Sequence, residues 1–207
     1  MNKKTLILNE DDFVGNGRHK RCYRLSFDPK KCVKLPYSSD GKKDLDREIA
    51  YLKILRTRNK DYSILPKYFG AITTNLGIGH IYEFIQNYDG TPSKTLEDYL
   101  YDQSLLESHL SNIIFHLKKL KITLYENEII TMGIFPENII IEQLSENADD
   151  IKLRVINDMG SAALIPIEYY FSYFAKKKIS KRWLKFINTL KIRYDFPIVH
   201  KLADNIK

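Results

Sequence analysis

The sequence predicts an α+β fold of two lobes: a strand-rich N-terminal lobe over residues 1–88 and a reduced helical C-terminal lobe over 89–207. Three observations predict it. Short strand-like runs and a single amphipathic helix fill the first third. A Pro/Gly/Asn-bearing break, Asn87-Tyr88-Asp89-Gly90-Thr91-Pro92, follows, and beyond it leucines recur at helical spacing. With 207 residues, 43% hydrophobic and 29% charged, the chain has a globular composition and length enough for one core, hence one domain built of both lobes.

The elements follow in order. Phe13-Val14 leads into the turn Gly15-Asn16-Gly17-Arg18, and Arg21 to Leu25 leaves it as a strand. Asp28-Pro29 turns the chain into a third strand, Lys31 to Leu35. Lys42 to Arg58 predicts a helix, because Leu45, Ile49, Leu52 and Leu55 recur at steps of three or four and form one apolar stripe. Ser63-Ile64-Leu65-Pro66 stops it. Tyr68 to Thr73 and His80 to Ile85 then predict a hairpin. After the break at 86–92, Thr95 and Asp98 have the spacing of a reciprocal cap on a short helix, Leu96 to Tyr101. Leu106, Leu110, Ile113, Leu117, Leu120 and Leu124 carry a long helix from about Leu105 to Tyr125. Two short strands, Asn138 to Glu142 and Ile151 to Ile156, flank a polar loop with Glu146, Asp149 and Asp150. From Ile165 onward the chain is aromatic and helical in texture.

Composition narrows the function classes. No run of 18 apolar residues exists to span a membrane, and the N-terminal stretch Thr5-Leu6-Ile7-Leu8 is too short for a signal peptide core. Two cysteines, Cys22 and Cys32, both in predicted strands, fit a reducing, cytoplasmic setting. The five histidines show no metal spacing. The net charge of +7 resides wholly in residues 168–207, which hold 10 Lys/Arg against 3 Asp/Glu. Lys176 to Arg193 carries eight basic residues and no acidic one, interleaved with aromatics. That segment reads either as a solvated helix face or as a dock for an anionic surface or a protein partner. No nucleic-acid motif accompanies it, so nucleic acid is not expected.

Several short motifs carry chemistry by their order rather than singly. A glycine turn (Gly15, Gly17) precedes a strand lysine, Lys34 in Cys32-Val33-Lys34-Leu35. A helix glutamate, Glu48, follows 14 residues later. Pro136-Glu137-Asn138 and Asn157-Asp158-Met159-Gly160 come last. This order resembles that of protein kinases and predicts an ATP and Mg²⁺ site. Glycines let backbone N–H groups approach phosphate oxygens. Lys34 is expected to clamp the α/β-phosphates with Glu48 holding it by an ion pair. Asn138 and Asp158 are oxygen donors suited to Mg²⁺. Glu83 to Tyr88 is expected to supply backbone groups to the adenine edge, with Val33, Ile85 and Ile141 as apolar walls.

The runs Gly15 to Tyr23, Ile64 to Gly70, Ile130 to Asn138 and Asn157 to Gly160 together resemble the bacterial YrbL family, named for its link to the PhoP regulatory network. The resemblance spans nearly the whole chain. It implies a protein-kinase-like fold more than a particular reaction. Against ordinary kinases the departures matter: Thr131-Met132-Gly133 stands where His-Arg-Asp is usual, Phe135 where lysine often sits, and Met159 within Asp-Met-Gly. Gly133 thus occupies the catalytic aspartate position. General-base assistance is worth about 10²–10⁴-fold, while phosphoryl transfer rests mainly on positioning and charge. Two outputs follow. One is an atypical phosphotransferase with Lys34 and Asp158 as its catalytic residues. Only 47 residues follow Gly160, few for a peptide-docking platform, so its substrate is expected to be a small molecule or glycan. The other is a pseudokinase-type regulatory module. Glu137, Asp149 and Asp150 are the acids near enough in sequence to stand in for the missing base.

Overall fold

The computed structural model of the protein describes residues 5–207. Residues 1–4, which precede the apolar stretch read above as no leader, lie outside the described residues. The rest of that stretch is structural: Leu6 bridges Thr74, and Leu8 packs beneath the sheet.

The architecture is α+β. A five-stranded antiparallel sheet has the order β1-β2-β3-β5-β4, built from β1 (Phe13–Asn16), β2 (Lys20–Leu25), β3 (Asp28–Pro36), β4 (Tyr68–Thr74) and β5 (Gly77–Glu83). Helix α1 (Ser39–Arg56) covers one face. It starts three residues earlier than its leucines indicate, because Ser38 caps it by accepting from the Gly41 N–H at 3.1 Å. Gly41 is needed there: a Cβ would stand 2.2 Å from the His19 carbonyl oxygen, so the glycine turn and the start of α1 touch. The other sheet face carries a small separate core of Leu8, Tyr23, Leu25, Val33 and Leu35.

The second half is mostly helical. Thr95 and Asp98 form the expected reciprocal cap on α2 (Leu96–Tyr101). On α3 (Gln103–Glu126) the six residues named from spacing are the six that are buried. A hairpin of β6 (Ile139–Gln143) and β7 (Ile151–Val155) follows. The aromatic C-terminal stretch resolves into one long helix, α4 (Ser172–Arg193), and a short one, α5 (Pro197–Asn205). A single large core runs from Cys32, Leu45 and Tyr82 through α3 and the hairpin to Trp183 and Phe186.

The turn after β7 is pinned by tyrosines. Gly160 has φ +92°, and a Cβ there would lie 2.8 Å from Tyr169 Oη and 3.2 Å from Tyr51 Cβ. Tyr51 and Tyr169 stack at 4.7 Å and take backbone N–H bonds from Ile130 and Ser161. Gly160→Ala is therefore expected to cost about 2–4 kcal/mol of stability, from left-handed strain plus overpacking, read as a lower urea midpoint.

Candidate functional site

The segments that carry these motifs meet around one cleft of about 1070 Å³ between the sheet and the helical part. Lys34 reaches it because β3 alternates: Val33 and Leu35 face the small core, and Cys32 and Lys34 face α1. Glu48 sits on the inward stripe of α1 between Leu45 and Leu52, with 1% of its surface exposed. The two side chains meet at 3.4 Å.

Sequence reasoning missed the second cation on that carboxylate. Lys20, at the start of β2, pairs with Glu48 Oε2 at 3.5 Å, so Glu48 is shared by Lys34 and Lys20. Burial opposes ionisation of Glu48, but the two ammonium groups outweigh it and hold its carboxyl below the ordinary range. Burial pushes Lys20 down. The Lys34 ammonium also lies 4.5 Å from the centre of the buried Tyr82 ring.

Lys34 further donates to Ile156 O at 2.5 Å and to Asn157 Oδ1 at 3.0 Å. Asn157 Nδ2 in turn donates to Asn138 Oδ1 at 3.1 Å, and Asn138 Nδ2 to Asp158 Oδ2 at 2.8 Å. A polar chain thus links Lys34, Asn157, Asn138 and Asp158. Asn157 was not singled out from sequence, although it stands next to the aspartate. Asp158 has φ 59°, and its carbonyl accepts from Met132 N at 2.7 Å, which ties it to the Thr131-Met132-Gly133 segment. Burial, opposed by Lys20, raises its carboxyl above the ordinary value.

Gly15 and Gly17 line the cleft, and neither has positive φ. A Cβ on Gly15 would meet nothing within 4 Å, and one on Gly17 only Lys20 O at 3.5 Å. Local packing therefore leaves room on this side for a ligand. Glu83 lines the cleft, and its side chain is already engaged. Its carboxylate pairs with Arg154 at 2.8 Å and accepts from Lys67 N at 3.0 Å, while its own N–H donates to Lys67 O. Its carbonyl accepts from Cys32 Sγ at 4.0 Å, another residue of the cleft lining. Arg154, the buried one of the two basic residues on β7, also holds Glu142 at 3.0 Å and so locks the end of β5 to the hairpin. Two of the expected walls are off by one residue. Val33 lies in the small core and Ile141 in the large one, while their neighbours Cys32 and Ile140 line the cleft. Ile85 lines it as expected.

The space beside Gly133 is filled. An ideal Cβ there would stand 2.3 Å from Phe135 Cε2 and 2.5 Å from Cζ, so the Phe135 ring takes the place of a side chain at 133. Of the acids considered as replacements, Asp149 and Asp150 belong to the β6–β7 loop and do not line the cleft. Glu137 lines it but pairs with Arg193 at 3.3 Å. Among the described residues no three His, Cys, Asp or Glu side chains cluster as a metal site. A cation held by Asn138 and Asp158 would need phosphate and water oxygens to complete its shell. Eight basic residues line the cleft against five acidic ones, a balance suited to a polyanion.

A family model described as PhoP regulatory network protein YrbL matches residues 6–191. The chain belongs to this family. The YrbL proteins of Escherichia coli K12 and Shigella flexneri are each 34% identical to it over 182 residues, a stretch covering 87% of this chain and 85% of the relative. The YrbL match takes in every cleft residue from Gly15 to Asp158 and α4 as far as Lys191, whereas α5 lies beyond it. No helix among the described residues is long and apolar enough to cross a membrane.

Proposed function

We propose that this YrbL-family chain is a protein-kinase-like, two-lobed protein of the cytoplasm that binds ATP with Mg²⁺ in the cleft. One observation carries the proposal: the buried Lys34–Glu48 pair connects, through Asn157, to the Asn138–Asp158 pair at the same cleft. Lys34 and Lys20 would meet phosphate oxygens, with Gly15 and Gly17 leaving the approach open. The Glu83 carbonyl would accept from the adenine amine, between Cys32 and Ile140. Asn138 and Asp158 would hold the metal, which would neutralise phosphate charge. For this Asn138 must turn its amide, because Nδ2 rather than Oδ1 now faces Asp158.

Of the two outputs, the regulatory module is favoured by the Phe135 ring over Gly133, since no carboxylate occupies the general-base position. The family's description as a regulatory network protein agrees with it. Slow phosphotransfer to a small-molecule or glycan hydroxyl is the second reading, favoured by the intact lysine–glutamate pair and the cationic lining.

Calorimetric titration with ATP, with and without Mg²⁺, tests the proposal. Wild type is expected to bind in a magnesium-dependent way. Lys34→Ala should weaken binding about 10–100-fold, the worth of one charge-assisted hydrogen bond, and Asp158→Ala should remove the magnesium dependence. Absence of binding by a folded wild type would overturn it. Phosphate release or transfer by wild type, abolished in both variants, would decide for the second reading.

A further inference from the structure

The segment after Gly160 exposes apolar side chains to an unusual degree. Leu164 is 98% exposed, Ile165 73%, Tyr170 74% and Tyr173 68%, with Phe171 and Phe174 also on the surface. Single exposed apolar residues are ordinary, but a cluster within eleven residues is an unpartnered surface. It continues onto the outward face of α4. Ala175, Ile179, Trp183, Phe186 and Leu190 anchor the inner face in the core. Opposite them, Phe174, Lys177, Lys181, Lys185 and Ile192 recur at helical steps and are all exposed.

The structure also divides the basic residues of 176–193 into held and unpaired ones. Lys178 is held by Glu168 and Ser161, Lys191 by Asp204 at 2.6 Å, and Arg193 by Glu97 and Glu137. Lys177, Lys181 and Lys185 have no acidic partner among the described residues. No acidic residue occurs between Glu168 and Asp195. Lysine charge left unpaired beside exposed aliphatic and aromatic side chains is the pattern of an interfacial membrane contact.

We propose that residues 164–174 and the outward face of α4 dock the protein peripherally on an anionic lipid bilayer. Leu164, Ile165, Tyr170 and Phe171 enter the headgroup–acyl boundary, and Lys177, Lys181 and Lys185 meet lipid phosphates. A second copy of the chain fits this surface poorly, because an isologous contact would set the three lysines against their own counterparts. Nucleic acid fits poorly too, since Leu164 and Ile165 offer no ring to stack on a base. Arg182 and Lys185 also line the cleft, so docking would bring the cleft towards the bilayer surface. Lipid docking does not depend on nucleotide binding.

Vesicle flotation tests this. Wild type is expected to float with phosphatidylcholine vesicles containing a ~30% share of phosphatidylglycerol and not with pure phosphatidylcholine, and the association should weaken as salt rises. Lys177→Gln with Lys181→Gln should lower the partition coefficient roughly 30-fold. Leu164→Ser, Ile165→Ser and Tyr170→Ser together should lower it at least about tenfold. All five positions are exposed, so both variants are expected to melt like wild type by circular dichroism. Failure of wild type to float with anionic vesicles overturns the proposal, as does equal binding to neutral ones or wild-type binding by both variants. So does self-association or oligonucleotide binding that accounts for the surface while vesicles do not bind.

Discussion

Glu48→Ala is expected to destabilise the fold by about 3–5 kcal/mol, because it leaves the buried ammonium of Lys34 and the half-buried one of Lys20 without their shared carboxylate. Urea denaturation followed by circular dichroism would read this as a lowered midpoint at unchanged slope. Lys34→Met combined with Glu48→Met removes one charge of each sign and should cost less than Glu48→Ala alone. A double variant no more stable than that single one would show that the pair is not coupled. The pH dependence has a definite sign. The folded-state carboxyl lies below its ordinary value of 4.5, so its stabilising contribution is fully present above that pH. It is lost as pH falls through the lower folded-state value, and the gap between wild type and Glu48→Ala should narrow there.

Gly133→Asp, which writes in the acid that the proposed kinase-like reading expects here, should destabilise the protein by about 1–3 kcal/mol rather than activate it. The new Cβ would fall 2.3 Å from the Phe135 ring, so the ring or the backbone must move. Phe135→Ala opens that space. Gly133→Asp made in the Phe135→Ala background should then cost at least about 1 kcal/mol less than in the wild-type background, and a thermodynamic cycle measured in urea would give that coupling. Equal costs in both backgrounds would mean that Phe135 is not what closes the position. Should nucleotide bind, turnover by the double variant and not by either single variant would identify the filled position as the reason for a slow or absent reaction. General-base assistance of the usual size corresponds to a gain of about 10²–10⁴-fold.

The cleft is a junction of charges whose sign and order are written in the chain. Lys34 and Glu48 stand 14 residues apart, and a strand followed by a capped helix brings them together. Asn138 and Asp158 stand 20 apart, and the β6–β7 hairpin folds them onto one another. These pairings were legible because each depends on one turn between two regular elements.

What the sequence alone determined is local. Leucine spacing set α3, the Thr95–Asp98 spacing set the cap on α2, and the apolar stripe set the inward face of α1 on which Glu48 rides. Such features depend on neighbours within about four residues along the chain, so periodicity reveals them. Tertiary structure decided the rest. Val33 and Cys32 are both apolar and adjacent, and only the packing of α1 against one sheet face decides which of them lines the cleft. Lys20 reads as one more charge in a basic turn until Glu48, 28 residues on, is folded against it. Arg154 takes the carboxylate of Glu83 from 71 residues away, and Phe135 fills the space beside Gly133 by a loop conformation that no spacing predicts. Leu164, Ile165 and Tyr170 look like further core in a hydrophobic list. They lie exposed because α4 and α5 have already filled the core with Trp183, Phe186 and Leu202, leaving no apolar surface to cover them.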